Sequence, residues 1–294
     1  VIAHNLPDLI IVEDDPYYFL QYPSYRPSTR EQTFEPKSTP EFLNTLIPSF
    51  LSMDRQGRVI RLESFSKTLF PGLRLGYFIA NPMFIERLLR ATEVETQDPA
   101  GLSQAFVLSL LQKWGVDGYL VWLQRLQLQY QTRRDWLLDA FNACFTVLPA
   151  AKSPLPKARG LVACVETKNG DLRPVFSFQD PGAGMFVWSK FYFQGVPRFT
   201  EIAESGKEDD PEQAFATELW KALATELVLL TPGSYYHPWQ GADKVSTKAR
   251  GADPTTAQFR FSFATPTVSD FYDHCSVLRW LLTNTTERAD RYWG

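Results

Sequence analysis

The chain reads as an α/β region followed by an α+β region, and three observations predict it. Leu9-Ile10-Ile11-Val12 is a continuous apolar run, the pattern of a strand buried on both faces of a parallel sheet. At Pro82 the hydrophobic period changes from two to about 3.6, and it stays there to about Phe145. Beyond Pro149, short alternating segments and loops return, with helical spacing only around Phe215 and around Phe271.

The elements follow in order. Pro16, after Glu13-Asp14-Asp15, stops the first strand and opens a loop. Tyr22 to Thr39 is polar and Pro-rich, a surface excursion. Thr39-Pro40-Glu41 reads as an N-cap with Pro at the first helical position, opening a short helix to about Leu46. Arg58 to Phe65 alternates as a strand, and Pro71-Gly72 turns the chain into a strand from Leu73 to Ala80. Ile85, Leu88 and Leu89 share a helix face that Asp98-Pro99 ends. A second helix carries Ala105, Leu108 and Leu111 up to Gly115. A longer one, Gly118 to about Phe145, spaces Trp122, Leu126 and Tyr130 at i, i+4. Gly160–Thr167, Gly184–Phe193, Leu227–Thr231 and Gln258–Phe263 are the later strand candidates. Asp210-Pro211-Glu212 opens a helix lined by Phe215, Leu219, Leu223 and Leu227. A last helix runs from about Val268 with Phe271, Cys275, Leu278 and Leu282 on one side. Lys152–Phe178 and Gly206–Asp210 read as mobile surface.

Composition narrows the function. The 294 residues are 44% apolar, enough for a sizeable core and too many for a disordered chain. A net charge of −3 leaves no basic footprint for nucleic acid or an anionic membrane. No apolar run reaches membrane-spanning length. Cys144, Cys164 and Cys275 form no CxxC pair, and His4, His237 and His274 have no metal-ligand spacing, so neither a disulfide framework nor a metal site is expected. The 22 Phe read first as core. Val1 opens the chain almost inside a strand with no charged and apolar leader, so the expectation is a cytoplasmic protein of which an upstream part is missing.

Three polar clusters lie at strand ends, where open α/β sheets place their sites. Glu13-Asp14-Asp15 at the end of a buried strand requires a cationic partner, or else serves an Asp-Pro turn. Ser64-Phe65-Ser66-Lys67 puts two hydroxyls on one side of the chain beside an amine. Arg74, among apolar neighbours, requires an anion. Together they meet the protein-side requirements of pyridoxal phosphate chemistry: a lysine for the aldehyde, an acid for the ring nitrogen, and donors for the phosphate. With no Walker loop and no GxGxxG, a nucleotide fits less well.

The run SFSKTLFPGLRLGYFIA, preceded by IVEDDPYYFLQY, resembles the signature of fold-type I pyridoxal phosphate aminotransferases. The branch it is most similar to is that of aromatic amino acid, 2-aminoadipate and kynurenine aminotransferases. The Pro-rich segment before PSFLSMDRQGRVIRLESFSK resembles the fungal aromatic enzymes. PGAGMFVW, VLLTPGSYY and QFRFSFATP continue the likeness in order. It implies that residues 1–142 are the C-terminal part of the cofactor-binding large domain, a mostly parallel sheet with connecting helices. Residues 143–294 are then an α+β small domain. It implies that Lys67 binds the cofactor covalently, that Asp14 pairs with its ring nitrogen, and that Tyr17 hydrogen-bonds its phenolic oxygen. Ser64, Ser66 and Arg74 would hold the phosphate. Arg260 would clamp the substrate α-carboxylate, with Phe186 nearby. The implied reaction moves an amino group from an aromatic amino acid to a 2-oxo acid such as 2-oxoglutarate, in a homodimer, with no nucleic acid or membrane partner. The family's glycine-rich phosphate loop, cofactor-stacking ring and phenolic-oxygen Asn have no counterpart in the chain, so an inactive fragment is one expectation. A lyase or decarboxylase on the same scaffold, or the cofactor-binding domain of a transcription regulator, remain open alternatives.

Overall fold

The computed structural model describes Leu6, residues 8–27 and residues 33–283. Val1, His4 and part of the expected 22–39 excursion lie outside the described residues. The chain divides into two compact units, Val1–Tyr22 with Gln32–Gln129, and Pro23–Glu31 with Tyr130–Gly294.

In the first unit, β1 (Ile11–Asp14), β2 (Val59–Ser64) and β3 (Gly76–Ile79) form a sheet in that order. β1 runs parallel to β2 with Asp14 opposite Leu62, and β3 runs antiparallel with Gly76 opposite Ser64. The glycine is needed there: a Cβ would meet the Glu63 carbonyl oxygen at 2.7 Å. The expected burial of Leu9–Val12 on both faces is not observed. β1 is an edge of these three strands, and Leu9, Ile10 and Val12 are exposed among the described residues.

Helix α1 (Thr39–Leu43) is capped one residue earlier than expected. Ser38 gives Glu41 both its backbone N–H (3.0 Å) and its hydroxyl (2.7 Å), while Thr39 donates to Asp117 (2.5 Å). A short helix α2 (Phe50–Met53) precedes β2, and α3 (Pro82–Glu95) opens on Asn81, whose side chain accepts the Met83 N–H. The long helix α4 (Gly101–Cys144) breaks at Gly115, where φ is 61°, a conformation that glycine adopts without a Cβ penalty. Trp114 and Trp122 stack on either side of that break at 5.7 Å. Phe42 and Leu46 pack on Leu120 and Leu123 of α4, with Tyr18, Phe19 and Trp122 around them.

The second unit holds a six-stranded antiparallel sheet. Its strands are β4 (Thr146–Pro149), β5 (Leu161–Glu166), β6 (Leu172–Phe178), β7 (Phe186–Tyr192), β8 (Thr231–Pro232) and β9 (Thr256–Ser262), ordered β4-β5-β6-β7-β9-β8. Helices α5 (Pro197–Ser205), α6 (Pro211–Thr225) and α7 (Val268–Thr283) complete it. Asp210 caps α6 through the Gln213 N–H (3.1 Å), as the Asp-Pro-Glu pattern predicts. The helix ends sooner than expected, and Leu227 stands exposed with φ 62°.

The main correction lies in β6. Lys152–Phe178 is not mobile surface throughout, because Val175, Phe176 and Phe178 are core residues of a central strand. Pro174 made that tract read as loop. The register slips there, with Ala163 opposite Phe176 and Cys164 opposite Pro174, and such a bulge is where a sheet tolerates proline. Phe176 touches the rings of Phe141, Phe145 and Phe191 at 5.1–5.3 Å, so much of the aromatic content is the interior of this unit.

Candidate functional site

The segment after β2 is a turn tied down from below. Thr68 is buried, its carbonyl accepts the Trp122 indole N–H (2.7 Å), and its hydroxyl meets Tyr119 OH at 3.2 Å. Leu69 N–H closes on the Phe65 carbonyl (2.8 Å), and Phe65 N–H closes on Leu75 (3.0 Å). Two anchored ends hold the residues between them, which include Ser66 and Lys67.

Within that turn the hydroxyls and the guanidinium line up. Ser64 Oγ accepts the Ser66 N–H (3.1 Å), and Ser66 Oγ accepts from Arg74 Nη1 (3.2 Å), which also reaches the Pro71 carbonyl (2.9 Å). Arg74 is not inside a strand, as Leu73–Ala80 had suggested. Pro71–Leu73 forms a 3-10 turn, and Arg74 ends it in the left-handed region (φ 50°, ψ 38°). A non-glycine residue held there is strained, and the strain aims the guanidinium back at Ser66. The cluster is one cation with two hydroxyls beside it and no acid bonded to it among the described residues. That donor set suits a phosphate monoester.

Lys67 is half-buried, and its amine makes no ion pair or hydrogen bond among the described residues. Its Nζ lies 5.9 Å from the centre of the Tyr17 ring.

The three acids after β1 take three different roles. Glu13 is committed to structure: it accepts from Ser49 Oγ (3.0 Å), Phe50 N–H (2.9 Å) and Leu51 N–H (3.3 Å), and it pairs with Arg61 at 3.0 Å. Burial pushes the Glu13 carboxyl up, yet the hydrogen bonds from Phe50, Ser49, Arg61 and Leu51 outweigh it and hold it below the usual range. Asp15 is raised by burial, with Arg61 and the Tyr17 N–H pulling the other way. Asp14, on the opposite face of the strand from Glu13, is exposed and has no partner among the described residues. It is the acid left available.

In the second unit Arg260 sits in mid-strand on β9, opposite Trp188 of β7. Its guanidinium carbon lies 3.8 Å over the Phe186 ring and 4.7 Å over the Tyr236 ring. Its Nε is buried with no hydrogen-bond partner, and no carboxylate pairs with it among the described residues. Trp188 closes the aromatic group edge-on to Tyr236 at 5.4 Å. Tyr236 and Trp188 escaped the sequence reading because neither has a spacing signal of its own. The available hint was the pair of tyrosines directly after the Pro-Gly turn in TPGSYY.

The predicted residues thus fall into two sets, with Lys67, Asp14, Tyr17, Ser64, Ser66 and Arg74 in the first unit, and Arg260 and Phe186 in the second. No protein-family profile matches the chain. An aromatic amino acid aminotransferase of Schizosaccharomyces pombe is 42% identical over 183 residues, which cover 62% of this chain and 32% of that protein. An L-tyrosine:2-oxoglutarate aminotransferase of Tapinella panuoides is 36% identical over 213 residues, 71% of this chain and 35% of its own length. The crystal structure of aminotransferase Aro8 from Candida albicans superposes with a TM-score of 0.71 at 32% identity, covering 96% of this chain and 51% of that one. The chain therefore spans about a third of the length of these curated relatives and half of that solved chain.

Proposed function

We propose a function from one premise: the chain is homologous to fungal aromatic amino acid aminotransferases, and its fold is that of the fold-type I pyridoxal phosphate aminotransferases. On that premise the protein moves the amino group of an aromatic amino acid to a 2-oxo acid such as 2-oxoglutarate.

The observation that carries the reading is selective pairing. Glu13, Arg61 and Lys190 are neutralised by protein partners, while Asp14, Lys67 and Arg260 have no oppositely charged partner among the described residues. An unpaired acid, amine and guanidinium are the groups the chemistry requires, and they match the implied roles residue by residue.

The residues fit pyridoxal 5'-phosphate. Ser64, Ser66 and Arg74 would donate to its phosphate, Asp14 would balance a protonated ring nitrogen, Tyr17 would donate to the phenolic oxygen, and Lys67 would take the aldehyde. When bound, that group supplies an electron sink for the pair left behind at the substrate α-carbon. The chain's own work is positional and acid–base. Arg260, with its guanidinium against the Phe186 and Tyr236 rings, would present a planar fork to a carboxylate, a task for which lysine is a poor substitute. Holding the carboxylate favours its retention, and so transamination over decarboxylation. The Lys67 amine would serve as the base that takes up the substrate α-proton and gives it back. The homodimer stands on the resemblance alone.

The test is turnover. Protein supplied with pyridoxal phosphate, tyrosine or phenylalanine, and 2-oxoglutarate should form glutamate, and Lys67→Ala should abolish it. Glutamate formed equally by Lys67→Ala would contradict the reading.

A further inference from the structure

One pair of reactive groups lies apart from the residues assigned above. Cys144 ends α4 and Cys275 lies in the middle of α7, both within the second unit. The Cys144 sulfur is 3.7 Å from Ser276 Oγ and 4.0 Å from the Tyr272 carbonyl oxygen. Those residues stand one after and three before Cys275 on α7, so the Cys144 sulfur lies over the helical turn that carries Cys275. Cys275 thus lies on the same turn of α7 as both of these contacts. Cys144 is partly open to solvent, whereas Cys275 is 1% exposed.

The surroundings divide the two roles. The neighbouring Cys275 side chain brings the Cys144 thiol down to about 6 against the effect of burial, with Ser276 and Arg279 acting in the same direction. The carbonyl end of α4 works against a thiolate there. Cys275 is pushed well above its ordinary value by the adjacent Cys144 and by burial. Cys164 has neither feature. It packs in β5 against Ala150 and Val162, and burial raises it. An accessible thiolate beside a buried thiol is the arrangement of an attacking and a resolving cysteine.

We propose that Cys144 and Cys275 form a reversible redox site that takes small hydroperoxides. The Cys144 sulfur attacks the terminal peroxide oxygen, the O–O bond breaks, and the leaving hydroxide or alkoxide departs as water or an alcohol after taking a proton. The Cys275 sulfur then displaces hydroxide from the sulfenic acid, and the Cys275 proton leaves with it as water. Two thiols are oxidised to one disulfide, and one peroxide is reduced. The product ties the last turn of α4 to α7, and an exogenous dithiol restores it.

Mapping by mass spectrometry tests this without any variant. Dilute protein is treated with stoichiometric hydrogen peroxide, unfolded, and alkylated. The expected result is joint loss of alkylation at Cys144 and Cys275, an intrachain cross-linked peptide reversed by dithiothreitol, and Cys164 still alkylated. Cys275→Ser should stop at a dimedone-reactive sulfenic acid on Cys144, and Cys144→Ser should slow the loss of Cys275 at least about ten-fold. Alkylation of Cys144 and Cys275 that persists to the same level as Cys164, or a cross-link between chains, would overturn the proposal.

Discussion

Arg61 and Arg260 both sit in the middle of strands, one in each unit, and they are accommodated by opposite means. Arg61 in β2 is 4% exposed and is enclosed by acids, Glu63 at 2.6 Å and Glu13 at 3.0 Å, with the Tyr18 ring 4.4 Å away. Arg260 in β9 has the Phe186 and Tyr236 rings against its guanidinium, and its buried Nε has no hydrogen-bond partner among the described residues. A buried cation beside two carboxylates is neutralised, and Arg61 is so even though its Nη1 and Nη2 are themselves buried without a hydrogen-bond partner. One surrounded by rings is desolvated but not neutralised, and an incoming anion completes it. The same contrast separates Glu13 from Asp14 and Lys190, paired with Asp253, from Lys67.

Substitution at each pair tests the contrast. The largest effect is expected at the amines. Lys67→Ala should lower transamination by at least about 10³-fold with an unchanged melting temperature, while Lys190→Ala leaves turnover within about two-fold. Steady-state rates with circular dichroism melts on the same samples check both. The arginines come next. Arg61→Ala should destabilise the fold by about 3–5 kcal/mol in urea titrations, because it strands two buried acids, and Arg61→Met with Glu13→Gln and Glu63→Gln should recover much of that loss. Arg260→Lys should instead leave the urea midpoint in place and lower kcat/KM for the amino acid on the order of 10–100-fold, mainly through KM. Loss of stability in Arg260→Lys with kcat/KM intact would reverse the assignment.

The smallest effect lies with the acids. The Glu13 carboxyl is held below its ordinary value in the fold, so its contribution is present above the unfolded carboxylate range and is lost as pH falls through the folded value. Urea midpoints across acid pH should therefore fall less steeply in Glu13→Gln than in the parent.

Much of this was legible in the sequence, and the misses have identifiable causes. Helices announced themselves where the apolar period was long, and the break at Gly115 stood in plain view. Pro174 hid β6, because a bulge is a property of the partner strand as much as of the strand itself. The exposure of Leu9–Val12 was invisible because a run of apolar residues carries no record of what covers it. Local spacing picked out Lys67, Ser64, Ser66 and Arg74, which lie within eleven residues of one another. The commitment of Glu13 was not legible, since its partners Ser49, Phe50 and Arg61 are brought to it only by sheet pairing and the placement of α2.

The central claim is that Lys67 was left unpaired in order to take the aldehyde of pyridoxal phosphate. Protein shown by absorbance to bind the cofactor, reduced with borohydride and mapped by mass spectrometry, tests it most directly. The account predicts a single reduced pyridoxyl adduct, on Lys67. An adduct on Lys190 or spread over surface lysines, with Lys67 unmodified, would contradict it.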